Sequence, residues 1–161
     1  MHLNDIALVQ LATPARLNER VKIAYLPSKK SYNGRRVFVS GWGHHRTDRG
    51  YRVMNVLQWE ETTTMSFIKC YWKRFGDLSQ RTGWVHTNHI CADTRGEGPC
   101  DNDGGAPLTL LSEAGTRGTV LGLFSTPTVY AEACQSDYPA VFTRVSSHLD
   151  WVKKVSGVTS T

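Results

Sequence analysis

The sequence lacks any long hydrophobic run. Its most apolar stretches, such as "IALVQL" and "VFVSGWG", fall far short of the roughly 18 to 20 residues a membrane span requires, so no membrane association is expected. It has no C-x-x-C pair. Its four cysteines, Cys70, Cys91, Cys100 and Cys134, stand at spacings unlike any zinc pattern, and neither a metal nor another cofactor is expected. An even number of widely spaced cysteines points instead to two disulfides, which persist in oxidising compartments. The opening residues, "MHLNDIALVQL", lack the charged start, apolar core and small-residue cleavage site of a secretory signal. These two readings conflict, and the expectation that reconciles them is that the 161 residues are a piece of a longer, extracellular chain. Internal repeats, low-complexity tracts and linkers are also lacking.

What is present fits one ordinary globular domain: 40% hydrophobic and 20% charged residues, enough for a core and too apolar for disorder. The formal net charge is +5. Part of the excess lies in "SKKSYNGRR", where Lys29, Lys30, Arg35 and Arg36 flank an expected Asn33-Gly34 turn. Such a cluster has the charge to attract an anionic polymer, but charges around an exposed turn are ordinarily solvated. Aromatic residues other than Tyr32 do not interleave with it, so no nucleic-acid partner is expected.

Short segments rich in Val, Leu, Phe and Thr recur along the chain: "IALVQL", "RVFVSG", "RVMNVLQWEE", "GAPLTLL", "GTVLGLFS" and "PAVFTRV". Turn residues such as Asn33-Gly34, "TDRG", "RGEGP" and "EAGTRG" separate them. The pattern predicts an all-β barrel or sandwich. Helical spacing appears at about 146–156. There Ser146 or Ser147 can cap, Leu149, Val152 and Val155 share a face, Lys153 and Lys154 suit the negative end, and Gly157 stops the helix. A second short helix is expected at "MSFIKCYW". Trp42, Trp59, Trp84 and Trp151 read as core or barrel-rim packing.

Seven pieces in one order carry a resemblance: "NDIALVQLATP" (4–14), "VSGWG" (39–43), "VLQWEE" (56–61), Cys70 with "HICAD" (89–93), "CDNDGGAPL" (100–108), "VLGLFS" (120–125) and "YPAVFTRVSSHLDWV" (138–152). Together they resemble the C-terminal portion of a chymotrypsin-fold, trypsin-like (S1) serine protease over nearly the whole chain. The resemblance implies an all-β fold: a six-stranded antiparallel Greek-key barrel with a C-terminal helix. Residues 1–26 would be a remnant of the first barrel and the crossover, and residues 27–161 the second barrel with its helix. It also implies the disulfides Cys70–Cys91 and Cys100–Cys134. A third bridge frequent in the family would join positions held here by Val37 and Leu110, an apolar pair able to fill the same space.

The chemistry departs from the family. Acyl transfer needs a serine oxygen, a histidine that takes its proton, and an aspartate that orients the histidine. Asp5 matches the aspartate. The family histidine lies in the upstream barrel, and His2 cannot replace it. The nucleophile position is Gly104, which has no side chain to attack with. The oxyanion-hole positions are Asn102 and Gly104; the family has glycine at the first, and asparagine tolerates positive φ better than most residues. The pocket-bottom position is Gly98, without a carboxylate for a Lys or Arg side chain. The strand that pairs with substrate reads Ser125-Thr126-Pro127 instead of Ser-Trp-Gly, and proline removes one N–H. Ala140 stands where the pocket wall has glycine.

Asp103 matches the aspartate that pairs with the mature N-terminus in active enzymes and is expected to be solvated or bonded locally. Asp5 is expected to be held by neighbouring backbone groups. His86, His89 and Cys91 have metal-like spacing, but Cys91 is assigned to a bridge. "DNDGG" lacks the distal glutamate of a calcium loop. The expectation is a non-catalytic homologue that binds a protein partner, or the missing N-terminal barrel, through loops 44–52, 72–87 and 94–99. The alternatives are a serine-type endopeptidase, as the family resemblance alone would suggest, and a truncated fragment with an exposed apolar face.

Overall fold

A computed structural model describes residues 3–47, 50–75, 85–94, 98–113, 115, 117–125 and 138–158. The strands are β1 (Arg36–Gly41), β2 (His44–Thr47), β3 (Gly50–Val53), β4 (Gln58–Met65), β5 (His89–Ala92), β6 (Pro107–Leu111), β7 (Gly118–Phe124) and β8 (Ala140–Arg144). Helix α1 (Phe67–Phe75) follows β4, and α2 (Leu149–Ser156) closes the chain after a short 3-10 turn at Val145–Ser147.

Six strands close a barrel in the order β1-β4-β5-β8-β7-β6, every neighbouring pair antiparallel. Its out-of-sequence order is that of the expected Greek key. The strands β2 and β3 form a separate hairpin. Alternation sets the faces. In β1, Val37 and Val39 point into the core while Arg36 is exposed and Phe38 half-buried. On the outer face Phe38 meets the ring of Trp59 at 5.6 Å. The core gathers Tyr32, Val37, Val39, Ile90, Leu108, Leu121, Phe124 and Phe142, with Leu110 packed against it, so the Val37 and Leu110 positions are both filled by apolar packing. Gly122 is required: a Cβ there would lie 2.8 Å from both Ile90 Cγ2 and Phe142 Cβ. The register passes from Leu108–Gly122 to Thr109–Val120, so Leu121 is the extra residue of a bulge on β7.

The expected Cys70–Cys91 disulfide is formed and ties α1 to β5. Arg74 of α1 is buried and donates from Nη1 to the Pro139 carbonyl at the entry to β8. Burial pushes its guanidinium down to about 10, which leaves it charged at neutral pH.

Four expectations are corrected. The segment 6–11, read as a strand, has no sheet partner and exposes its apolar side chains, with Val9 84% accessible. Nothing among the described residues lies beside it to complete a ladder. "RVMNVLQWEE" is two strands, because residues 54–57 must turn from the β2–β3 hairpin into the barrel wall. Trp42, Trp59 and Trp151 are exposed, since they sit at the barrel's end, on its outer face and on the solvent side of α2; Trp84 lies outside the described residues. Helix α2 starts after His148, with no side-chain cap, because Ser146 and Ser147 are taken up in the 3-10 turn. Of its expected face only Val152 is buried, Leu149 being half-buried and Val155 exposed. Gly157 ends it in the left-handed conformation, as expected.

Candidate functional site

The site lies on the loop between β5 and β6, at the end of the barrel where β1 runs into Trp42 and Gly43. Asn102 takes φ +72° and Gly105 φ +85°. Asparagine therefore occupies the left-handed conformation for which the family's glycine is suited. Internal bonds hold the loop: Asp103 N donates to Cys100 O at 3.0 Å, Ala106 N to Asp103 O at 2.8 Å and Gly105 N to Phe124 O at 2.8 Å. The N–H groups of Asn102 and Gly104 donate to nothing among the described residues, and both residues are exposed.

Asp103 organises this turn. Its Oδ2 accepts from Cys100 N at 3.0 Å, the local bonding expected of it, and its Oδ1 accepts from Gly43 N at 2.7 Å, 60 residues away, which the sequence did not show. The carboxylate occupies the space beside two glycines. A Cβ on Gly41 would fall 1.9 Å from Asp103 Oδ1, and one on Gly43 2.4 Å from its Cγ and 2.7 Å from the Asp101 carbonyl. Those glycines are structural necessities. Gly104 is different, since a Cβ there meets nothing within 4 Å and its φ is not positive. A serine would fit, so glycine at 104 answers no steric demand.

Asp5 lies exposed on the arm that crosses the barrel end, and its Oδ2 accepts from the buried Ser125 hydroxyl at 2.7 Å. The expectation of backbone support is thus corrected: a side chain 120 residues away holds it. The preceding residue has φ +59°, and Ile6 N donates to Asn4 O across the corner at 2.8 Å. Sequence reasoning missed the anchor of that corner, the buried His148. Its Nδ1 lies 3.0 Å from the Arg144 carbonyl, which can only accept, and its Nε2 lies 3.0 Å from Asn4 Oδ1. Asn88 Nδ2 reaches the same oxygen at 3.4 Å. Also missed was His44, whose Nε2 lies 3.4 Å from Asn102 Nδ2. Neither contact leaves a local sequence signal, because each joins segments far apart in the chain.

At the pocket-bottom position a Cβ on Gly98 would strike Thr94 Cγ2 at 2.6 Å and Thr94 Cβ at 2.7 Å. A larger side chain at Gly98 would have to displace Thr94. Ala140 is half-buried and packs against the barrel core. Thr126, Pro127 and Cys134 lie outside the described residues, while Cys100 is disulfide-bonded. The metal-like spacing of His86, His89 and Cys91 is otherwise employed. Cys91 is in its disulfide, His86 Nδ1 accepts from Asn88 N at 3.2 Å, and His89 Nδ1 accepts from His86 N at 3.0 Å.

The geometry agrees with comparisons to known proteins. The family model described as Trypsin matches residues 1–152. Fibrinolytic enzyme, isozyme C, of Lumbricus rubellus is 35% identical over 92% of this chain and 60% of its own length. Brachyurin of Leptuca pugilator is 32% identical over 97% of this chain and 62% of its own. The solved structure of HL collagenase superposes with a TM-score of 0.71 over 90% of this chain and 58% of its own, at 23% identity, and so speaks for the fold. The chain spans about three-fifths of the length of these relatives. With its Greek-key barrel, C-terminal helix and family-ordered loops, the chain belongs to the trypsin family of chymotrypsin-fold serine proteases.

Proposed function

We propose that this chain is a non-catalytic member of its family, a scaffold that binds protein. The observation that carries the reading is Gly104: the nucleophile position has no side chain, in a loop with open room for one. Acyl transfer begins with attack by a side-chain oxygen, and loss of that group leaves only the small residual rate that binding and oxyanion stabilisation provide. Gly98, expected at the bottom of the specificity pocket, adds that this position offers no carboxylate to a basic substrate side chain. The relatives' names are those of enzymes, and that activity is theirs. The test is incubation with a fluorophosphonate probe and with a peptide ester, beside bovine trypsin. The expected result is an unlabelled chain and no ester turnover above buffer; covalent labelling of this chain overturns the reading.

The surface such a scaffold would offer is the arm before the barrel. Leu3, Val9, Leu11, Leu17 and Ile23 are all more than half exposed, and an apolar segment of strand composition without a ladder is a template for another polypeptide. Its partner is proposed to be a first barrel of the family's type. Sedimentation of the chain with a polypeptide spanning the first barrel of a trypsin-like relative checks this. Complex formation lost in Val9→Lys/Leu11→Lys is expected, and no association, or association indifferent to that change, refutes it. The Cys70–Cys91 bridge supports placing the protein outside the cell. Among the described residues no helix is long and apolar enough to cross a membrane.

A further inference from the structure

The fold brings two basic segments together that are more than a hundred residues apart. Lys29, at the start of the basic turn, places Nζ 2.8 Å from Asp150 Oδ2 on α2. Lys153 and Lys154 follow Asp150 at i+3 and i+4, the spacing that places side chains on one helix face. The proximity of Lys153 is felt at the Asp150 carboxyl, which Lys29 holds below its usual range, first by hydrogen bond and then by charge, with Lys153 adding to the effect. On the other side Lys30 lies over the Tyr32 ring at 5.5 Å, and Arg35 and Arg36 flank the Gly34 turn at φ +66°. All six basic residues are exposed. Two carboxylates face them: Asp150, paired with Lys29, and Glu61, paired with Arg36. Lys30, Arg35, Lys153 and Lys154 are left without a paired carboxylate among the described ion pairs.

We infer that this surface, built from the 28–36 turn and the exposed face of α2, binds a sulfated polysaccharide. A display of exposed cations drawn from two segments suits an extended, flexible chain of sulfates and carboxylates. Tyr32, the ring that Lys30 overlies, is buried at 5% exposure and offers no stacking face to a nucleic-acid base. The disulfide directs the choice the same way, since sulfated glycans are the polyanions of oxidising, extracellular surroundings. The inference does not depend on whether the chain is catalytic.

The test compares release of the chain from immobilised heparin with release from a plain sulfonate exchanger, each under a salt gradient. Heparin should hold the chain to distinctly higher salt. Solution affinity for a heparin octasaccharide should fall roughly tenfold in Lys153→Ala/Lys154→Ala and similarly in Lys30→Ala/Arg35→Ala. The control Lys22→Ala/Lys69→Ala, which removes equal charge outside the surface, should change it little. Asp150→Asn separates binding from architecture: it frees Lys29 and should tighten heparin binding, whereas a merely structural ion pair would make it weaken binding. Equal release from the two columns, equal losses in the control, weaker binding by Asp150→Asn, or duplex DNA competing as well as heparin would each overturn the inference. Urea midpoints of the lysine and arginine variants are expected to match the parent.

Discussion

The clearest handle on the loop geometry is Asp103, because one carboxylate satisfies two backbone donors from different segments. Replacement by alanine removes the acceptors of Gly43 N and Cys100 N, at 2.7 and 3.0 Å. Hydrogen bonds to an ionised group contribute about 1.5–3 kcal/mol each, and stranded donors that are only part-buried recover some of that from water. The expected loss is therefore about 3 kcal/mol for Asp103→Ala. Asp103→Asn should lose roughly half as much, because its amide keeps one acceptor and turns a donor toward the other N–H. Urea unfolding measures the totals, and amide exchange followed by NMR measures the parts. In Asp103→Ala both the Gly43 and Cys100 amides should exchange faster; in Asp103→Asn one of them should keep its protection. A loss under about 1 kcal/mol in Asp103→Ala, with both amides still protected, would show that the carboxylate does not hold the turn.

Removing the Cys70–Cys91 bridge by double alanine substitution frees a loop with a sequence separation of 21, worth about 3 kcal/mol of denatured-state entropy. Urea unfolding with and without reductant checks it, and a double variant as stable as the parent refutes it. Gly122→Ala places a methyl 2.8 Å from two core side chains, and overpacking of that kind costs about 1–3 kcal/mol; an unchanged melting temperature would contradict the packing of β7 on β5 and β8. The lowered Asp150 carboxyl means that its ion pair with Lys29 favours the fold above the ordinary carboxylate range, and that the contribution disappears as pH falls through the depressed value. NMR titration should find Asp150 moved back toward its ordinary range in Lys29→Ala and in high salt, and an unmoved titration would refute the pairing.

The barrel was legible because its information is local. "RVFVSG" and "PAVFTRV" alternate or run apolar over the length of a strand, and turn residues bound them. Motif order supplied what periodicity lacks, the pairing of Cys70 with Cys91 across a helix. The failures have a common cause. Apolar patterning in "IALVQL" reports a surface suited to burial, and says nothing about whether a neighbour is present to bury it. Trp59 reads as core or barrel-rim packing, yet alternation in β4 turns it outward beside Phe38. Ser146 and Ser147 have cap chemistry, but the 3-10 turn claims them first. The site was half legible. Asn102 at positive φ follows from what asparagine tolerates, whereas the Ser125 grip on Asp5 and the His148 grip on Asn4 depend on contacts across 120 and 144 residues.

Glycines at this end of the barrel divide by what the fold asks of them. Gly41 and Gly43 leave room for Asp103, and Gly98 leaves room for Thr94; in each case an added methyl would have to displace a neighbour. Gly41 and Gly43 answer to packing alone, and their lack of a side chain carries no message about chemistry. Gly104 stands in open space with an unremarkable backbone, so neither strain nor crowding accounts for it. The loop around it nonetheless keeps its bonds: Asp103 still binds Gly43 and Cys100, and Ser125 still binds Asp5. A loop that holds its geometry around an open position supports the proposed binding role, in which recognition depends on the shape of the loop.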